Sequence, residues 1–150
     1  GHRHLGSAGQ PCKAGRHHAL IGLQAFRFPL ELVMHHASNV GIMPVQLSYS
    51  GYNFDIVTGV GALLIFAVLK SGRSVSRSVL WAWNVWGCWS LLVIAFIAIT
   101  TSPVVRLFGD DPRNLNTWVL YFPYVWLPVV LVTIAIAGHV VSTRKLLKGD

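Results

Sequence analysis

Three long apolar runs set the pattern of the chain: Phe54 to Leu69, Val79 to Thr100 and Trp118 to Val141, of 16, 22 and 24 residues. Crossing about 30 Å of hydrocarbon takes roughly 20 apolar residues in a helix. The last two runs are long enough, and the first is adequate with its flanks. None alternates with a period of two, which argues against the tilted strands of a membrane barrel. The pattern predicts helices over 53–70, 77–101 and 117–146. The fold class it implies is all-α, a polytopic helical membrane bundle.

A fourth segment is mixed. In "QAFRFPLELVMHH" (Gln24 to His36), Arg27, Glu31 and His35 recur every four residues. On a helix that spacing sets them on one face, with Gln24 and Ser38 nearby and Phe26, Leu30 and Val33 opposite. At mid-membrane an arginine costs roughly 2.5–3.5 kcal/mol, a glutamate is taken as comparable, and each Leu, Ile, Phe or Val returns roughly 0.3–0.6 kcal/mol. The ten such residues between Ala19 and Met43 bring the segment near break-even. Its stripe therefore has to be buried against other helices, or the segment has to lie at the interface.

Charge decides between these. Lys70, Arg73 and Arg77 share one short loop, Arg144, Lys145 and Lys148 follow the last run, and Arg3, Lys13 and Arg16 precede the first segment. The connection from Pro44 to Asn53 holds no Lys or Arg, and Arg106 and Arg113 are set against Asp110 and Asp111. Nine of the twelve basic residues thus fall on one side, as the positive-inside rule requires when both termini are cytoplasmic. Something must then cross between a cytoplasmic N-terminus and an outer Pro44–Asn53 loop, which makes about 19–42 the first of four spans. Topology accounts for the net charge of +7 without a nucleic-acid partner. The expected partners are the lipid bilayer and either further copies of the chain or another membrane protein.

Composition agrees: 53% apolar, 11% charged and a mean hydropathy of +0.55, far from the quarter charged of soluble domains. Two cysteines, Cys12 and Cys88, form no disulfide framework. Residues 1–18 read as a disordered basic segment and 19–150 as the transmembrane domain. The N-terminus lacks an apolar signal core and the first methionine is Met34, so this end reads as truncated or processed.

Several polar residues are candidates for a site. Arg27, Glu31 and His35 lie on the first helix, and Asn53 and Asp55 open the second near the outer surface; Gln24 and Asn84 are secondary. The structural reading pairs Arg27 with Glu31 one turn on and lets His35 bond a neighbouring helix. The functional reading takes intramembrane ionisable groups as marks of an ion or substrate path. Asn53 reads as an N-cap, Asp55 as a first-turn carboxylate suited to the helix dipole, Asn84 as interhelical glue and His139 as interfacial. Pro29 frees the carbonyl of Ala25, or else begins a new helix with Glu31 in its first turn. Pro123 and Pro128 predict a kinked or broken last helix. Glu31 and His35 lack an evident third ligand, so no metal is assigned. The chain carries no Walker, HExxH, CxxC or GxSxG pattern, no enzyme signature and no implied cofactor.

The segments "QAFRFPLELVMHH", "MPVQLSYSGYNFDIVTG" and "YFPYVWLPVVLV" together resemble an uncharacterised family of bacterial multi-spanning inner-membrane proteins. That family has a QAxRxPxE helix, a PVQ…GxNFDxxTG turn and a YFPxVWLP helix. The resemblance covers about residues 23 to 147. It maps onto Gln24, Arg27, Pro29, Glu31 and His35, then Pro44, Gln46, Gly51, Asn53, Asp55 and Gly59. It implies the bacterial inner membrane as location and brings no activity. Two functional expectations remain: transport, or an accessory role in it, through a polar intramembrane site on the first helix, and alternatively a structural or assembly subunit of a larger membrane complex.

Overall fold

The computed structural model describes residues 14–148, with side chains from His18 onward. It is all-α, with no strand among the described residues: α1 (Ala14–Gln24), α2 (Arg27–Asn39), α3 (Asp55–Lys70), α4 (Arg77–Thr100) and α5 (Val132–Lys148). Of the expected disordered segment 1–18, residues 1–13 lie outside the described residues, and the rest is helical because α1 already begins at Ala14.

The single helix expected over 19–42 is two. Pro29 has no N–H to offer the carbonyl of Ala25, and that carbonyl accepts from the N–H of Phe28 instead, at 3.2 Å. The tightened turn at Ala25 and Phe26 separates α1 from α2. Glu31 is the fifth residue of α2, not part of a first turn begun at Pro29. At the other end of the chain, the helix expected from 117 starts only at Leu127. Trp118–Leu120 is a short 3-10 turn, Leu127–Leu131 is a π-helical stretch, and α5 follows. Pro123 and Pro128 supply the reason, since each removes a backbone donor and the wider π turn accommodates the second.

α1 packs on α3 and α5, α2 on α3, and α4 on both α3 and α5. Ser76 caps α4 by accepting from the N–H of Val79, and Gly72 turns the chain after α3 with a φ of +79°. The guanidinium of Arg77, at the start of α4, donates to the carbonyl of Leu146 near the end of α5.

Asp55 is buried against the middle of α4. Its Oδ1 accepts from Ser90, which stands thirteen residues from the start of α4 and ten from its end, or about 20 and 15 Å. α3 thus begins level with the middle of α4. The space beyond it is filled by residues 40–54, whose Met43 and Leu47 join Met34, Ala37, Ile97 and Trp118 in an apolar cluster. This connection folds back onto the bundle, with Met43, Leu47, Ser48 and Asn53 buried and Val40, Ile42, Val45, Tyr52 and Phe54 exposed.

Besides its apolar clusters, the bundle buries several large polar side chains and exposes several large apolar ones. Arg27, His139, Gln24, Glu31, Asn53 and Asn84 are among the largest fully buried side chains, while Trp89, Leu92, Phe96 and Ile99 of α4 are each 60% exposed or more. Two helical stretches, Arg77–Thr100 and Leu127–Lys148, are long and apolar enough to cross a membrane. α3, at 16 residues, spans about 24 Å, and the break at Ala25 divides the first segment.

Candidate functional site

The arrangement begins with Arg27, which α2 points across to α3. Its Nε donates to Asp55 Oδ2 at 2.7 Å. Its Nη2 lies 2.6 Å from Oδ1 but off the line of a hydrogen bond, so that second contact is ionic. The expected partner on its own helix, Glu31, is not the one chosen. The cross-helix pair neutralises two buried charges and ties α2 to α3, and it leaves Glu31 without an ion-pair partner.

A second guanidinium nitrogen, Nη1, is 2.8 Å from Nε2 of His139 on α5. Arginine only donates, so Nε2 accepts and the ring proton sits on Nδ1. That N–H donates to Asn84 Oδ1 at 2.9 Å. Asn84 Nδ2 donates to Thr143 Oγ1 at 2.7 Å, and Thr143 donates to the carbonyl of His139 at 2.8 Å. Each member has one consistent direction, and His139 is neutral. The interfacial position expected for His139 is therefore corrected: it is fully buried, at the join of α2, α4 and α5. Asn84 does bond across helices, as expected.

The approach of α4 to α5 here depends on Gly87, where a Cβ would lie 2.1 Å from His139 Cε1. Gly59 does the same for α2 and α3, since a Cβ would meet the backbone nitrogen of Phe28 at 2.5 Å. On the α4 side of Asp55, Ser90 donates to Oδ1 at 2.8 Å and leaves its own oxygen to accept from Thr58, 3.1 Å away.

Asn53 ties this cluster to Glu31. Its Oδ1 accepts from the N–H of Asp55 at 2.9 Å, and its Nδ2 donates to Glu31 Oε1 at 2.8 Å and to the carbonyl of Leu47 at 2.9 Å. The N-cap residue of α3 is Phe54, so Asn53 fixes the helix start from one position further out. Glu31 is 1% exposed, and its Oε2 has no hydrogen-bond partner.

The side chain of Glu31 belongs to the lining of a cavity of about 290 Å³, while its unpaired oxygen is covered by protein. Arg27, Glu31 and Asp55 line one side, while Leu30, Met34, Leu91, Ala98, Leu127 and Leu131 line the apolar walls. Asn116 and Trp118 also line it, and Asn116 Oδ1 and Trp118 Nε1 are likewise buried without partners. Exposed Ala95 and Pro128 belong to the rim, so the cavity opens sideways, between α4 and the π stretch.

Of the sequence candidates, Arg27, Glu31, Asn53, Asp55 and Asn84 are brought together. Gln24 is buried beside them, with Nε2 3.4 Å from the carbonyl of Ala135. His35 is not part of the group. Its Nδ1 lies 3.1 Å from Ser48 Oγ, its ring stacks on Tyr49 at 4.3 Å, and Asn39 donates to Nε2. No group of three His, Cys, Asp or Glu that could hold a metal occurs among the described residues. The sequence reading missed His139, Ser90, Asn116 and Trp118. One signal was available: Asn84, Gly87 and Ser90, and likewise Ala135, Gly138, His139 and Ser142, form small and polar stripes at helical spacing on otherwise apolar segments.

No curated protein and no solved structure matches the chain. Residues 10–147 match a family described as a domain of unknown function, DUF8737, and the chain belongs to that family.

Proposed function

We propose that the chain is an integral membrane protein whose buried polar site takes part in transport of a small solute or ion, alone or as an accessory to a larger system. The observation that carries this reading is Glu31, an ionisable side chain that is 1% exposed, has one oxygen without a hydrogen-bond partner and belongs to the lining of a cavity. An ionisable group held in that way inside an apolar bundle is costly, and such groups mark solute and proton paths.

The burial pattern supports the membrane setting. Tryptophan, leucine, phenylalanine and isoleucine side chains cover α4 outside while arginine, glutamate, histidine and asparagine fill the interior. Lipid accepts the first set and excludes the second. Four crossings are proposed, formed by the broken α1–α2 pair, α3 with the 40–54 connection, α4, and the π stretch with α5. Non-helical backbone at membrane depth is tolerated where protein covers it. The bacterial inner membrane with both ends cytoplasmic fits the distribution of Lys and Arg.

The test is proton movement in vesicles that enclose a pH-sensitive dye. Wild-type protein is expected to speed the decay of an imposed pH gradient, and Glu31→Gln to abolish that effect while keeping its folding. A second reading, a structural or assembly subunit, is favoured by the Arg27–His139–Asn84–Thr143 chain, whose hydrogen bonds tie α2, α4 and α5 together. It predicts co-purification with a larger membrane partner and indifference to Glu31→Gln.

A further inference from the structure

We infer that the cavity between α4 and the π stretch takes a hydrocarbon chain, the acyl chain of an outer-leaflet membrane lipid. The inference rests on the membrane setting proposed above and not on the transport reading.

The wall decides the class of occupant. Its polar atoms belong to Arg27, Glu31, Asp55, Asn116 and Trp118, and none of these residues is more than 9% exposed on any side. The charges of Arg27 and Asp55 face each other, at 2.7 and 2.6 Å. The unpaired atoms of Glu31, Asn116 and Trp118 are covered by protein. What an occupant touches is therefore apolar: Leu30 and Met34 of α2, Leu91 and Ala98 of α4, and Leu127 and Leu131 of the π stretch. An ion or a strongly polar solute would lose its hydration there and gain no hydrogen bond in return. Water fares no better, since it needs about two to four polar partners, and an apolar cavity of roughly 150 Å³ stays dry and accepts benzene. At about 290 Å³, this one has room for a longer apolar body.

The mouth decides the source. The exposed side chains nearest the rim residues Ala95 and Pro128 along the chain are Leu92, Phe96, Trp126 and Val129, all more than half exposed. The stretches that carry the rim, 91–99 and 125–132, hold no charged residue. In the proposed setting this surface meets acyl chains, which reach the mouth without crossing water. Leu91 and Ala98 stand 14 and 21 residues from the start of the 24-residue α4. That is the half remote from Lys70, Arg73 and Arg77, and the outer half in the proposed topology.

The test uses the two methionines of the chain as matched reporters. Met34 belongs to the cavity wall, while Met43 is buried in the same apolar cluster but not in that wall. The full chain, deuterated except for its methionine methyls, is placed in nanodiscs of a zwitterionic phospholipid. Magnetisation transfer from lipid methylene protons to each methyl is then followed by NMR. Met34 is expected to show a cross-peak several times that of Met43, and to lose it when chain-deuterated lipid replaces the ordinary lipid. Ala98→Phe, which fills the cavity from α4, is expected to reduce Met34 to the level of Met43. Ala95→Trp, which covers the mouth from an exposed position, is expected to do the same and serves if Ala98→Phe fails to fold. Equal transfer to the two methyls, transfer to Met34 from water, or a cross-peak that persists in chain-deuterated lipid overturns the proposal; the last would mean a free aliphatic molecule carried with the protein. If Met34 receives nothing while a nitroxide at Leu92 is shielded from a water-soluble relaxant, the cavity proposal falls and the membrane setting stands.

Discussion

Arg27 on α2 and Asp55 at the start of α3 form a two-point ion pair across 28 residues of sequence, with Nε–Oδ2 at 2.7 Å and Nη2–Oδ1 at 2.6 Å. Both side chains are almost wholly buried. Removing one partner of such a pair strands the other charge, at a cost of about 3–5 kcal/mol, whereas replacing both with apolar residues is often near neutral. Asp55→Asn and Arg27→Met are each expected to lower stability by about that amount, and Arg27→Met with Asp55→Leu by clearly less than either. Unfolding in mixed micelles, followed by circular dichroism, measures all three.

Gly87 and His139 are expected to be coupled. A methyl at Gly87 would fall 2.1 Å from His139 Cε1, and the ring cannot retreat without leaving Arg27 and Asn84. Overpacking of this kind costs about 1–3 kcal/mol. Gly87→Ala is therefore expected to destabilise wild type by that amount and to cost much less in a His139→Ala background. The same unfolding measurement, run as a double-mutant cycle, reads the difference.

Outside the bundle, Arg113 holds the carboxyl of Asp111 below its ordinary pKa, first through its side chain and then through its backbone N–H. A lowered folded value means that the ionised form favours the folded loop. The contribution is present above the ordinary carboxylate pKa and is lost as pH falls through the lowered one. Arg113→Ala is expected to move the Asp111 titration up toward its ordinary position, as followed by carboxyl carbon chemical shifts. Both groups are exposed to solvent, so the global stability is expected to move little.

The proposed crossings place Ser74, exposed in the connection from α3 to α4, and Val104, 92% exposed beyond α4, on opposite sides. In a cysteine-free background, Val104→Cys is expected to react with an impermeant maleimide in intact cells and Ser74→Cys only after permeabilisation. Ser48 would be a poor probe, since the 40–54 connection buries it completely.

Much of this was legible in the chain because its signals are local. Apolar length marked α3 and α4, Pro29 and Pro123 marked the breaks, and the four-residue spacing put Arg27 and Glu31 on one face. Partner choice was not legible. Arg27 could meet Glu31 through a local helix turn, and nothing in the spacing says that Asp55 and His139 lie nearer. His139 stands seven residues from the start of α5, ahead of basic residues that suggest an interface. Its burial follows from Gly87 on another helix, a relation that exists only after packing. The burial of Asp55 was hidden for a similar reason, since a Gly- and Ser-containing stretch such as 48–53 reads as an exposed turn until Leu47 is seen packing into the Met34–Ile97 cluster.

The central claim is that the Arg27–Asp55 pair lies at mid-membrane depth. Leu92, 65% exposed and two residues beyond the serine that bonds Asp55, reports that level from the outer surface of α4. A nitroxide at Leu92 and another at Val104, in a cysteine-free background in lipid vesicles, would be compared by power saturation with oxygen and a water-soluble nickel chelate. The account predicts that Leu92 is strongly relaxed by oxygen and shielded from nickel, while Val104 shows the reverse. Nickel accessibility at Leu92 equal to that at Val104 would place the pair outside the bilayer and contradict it.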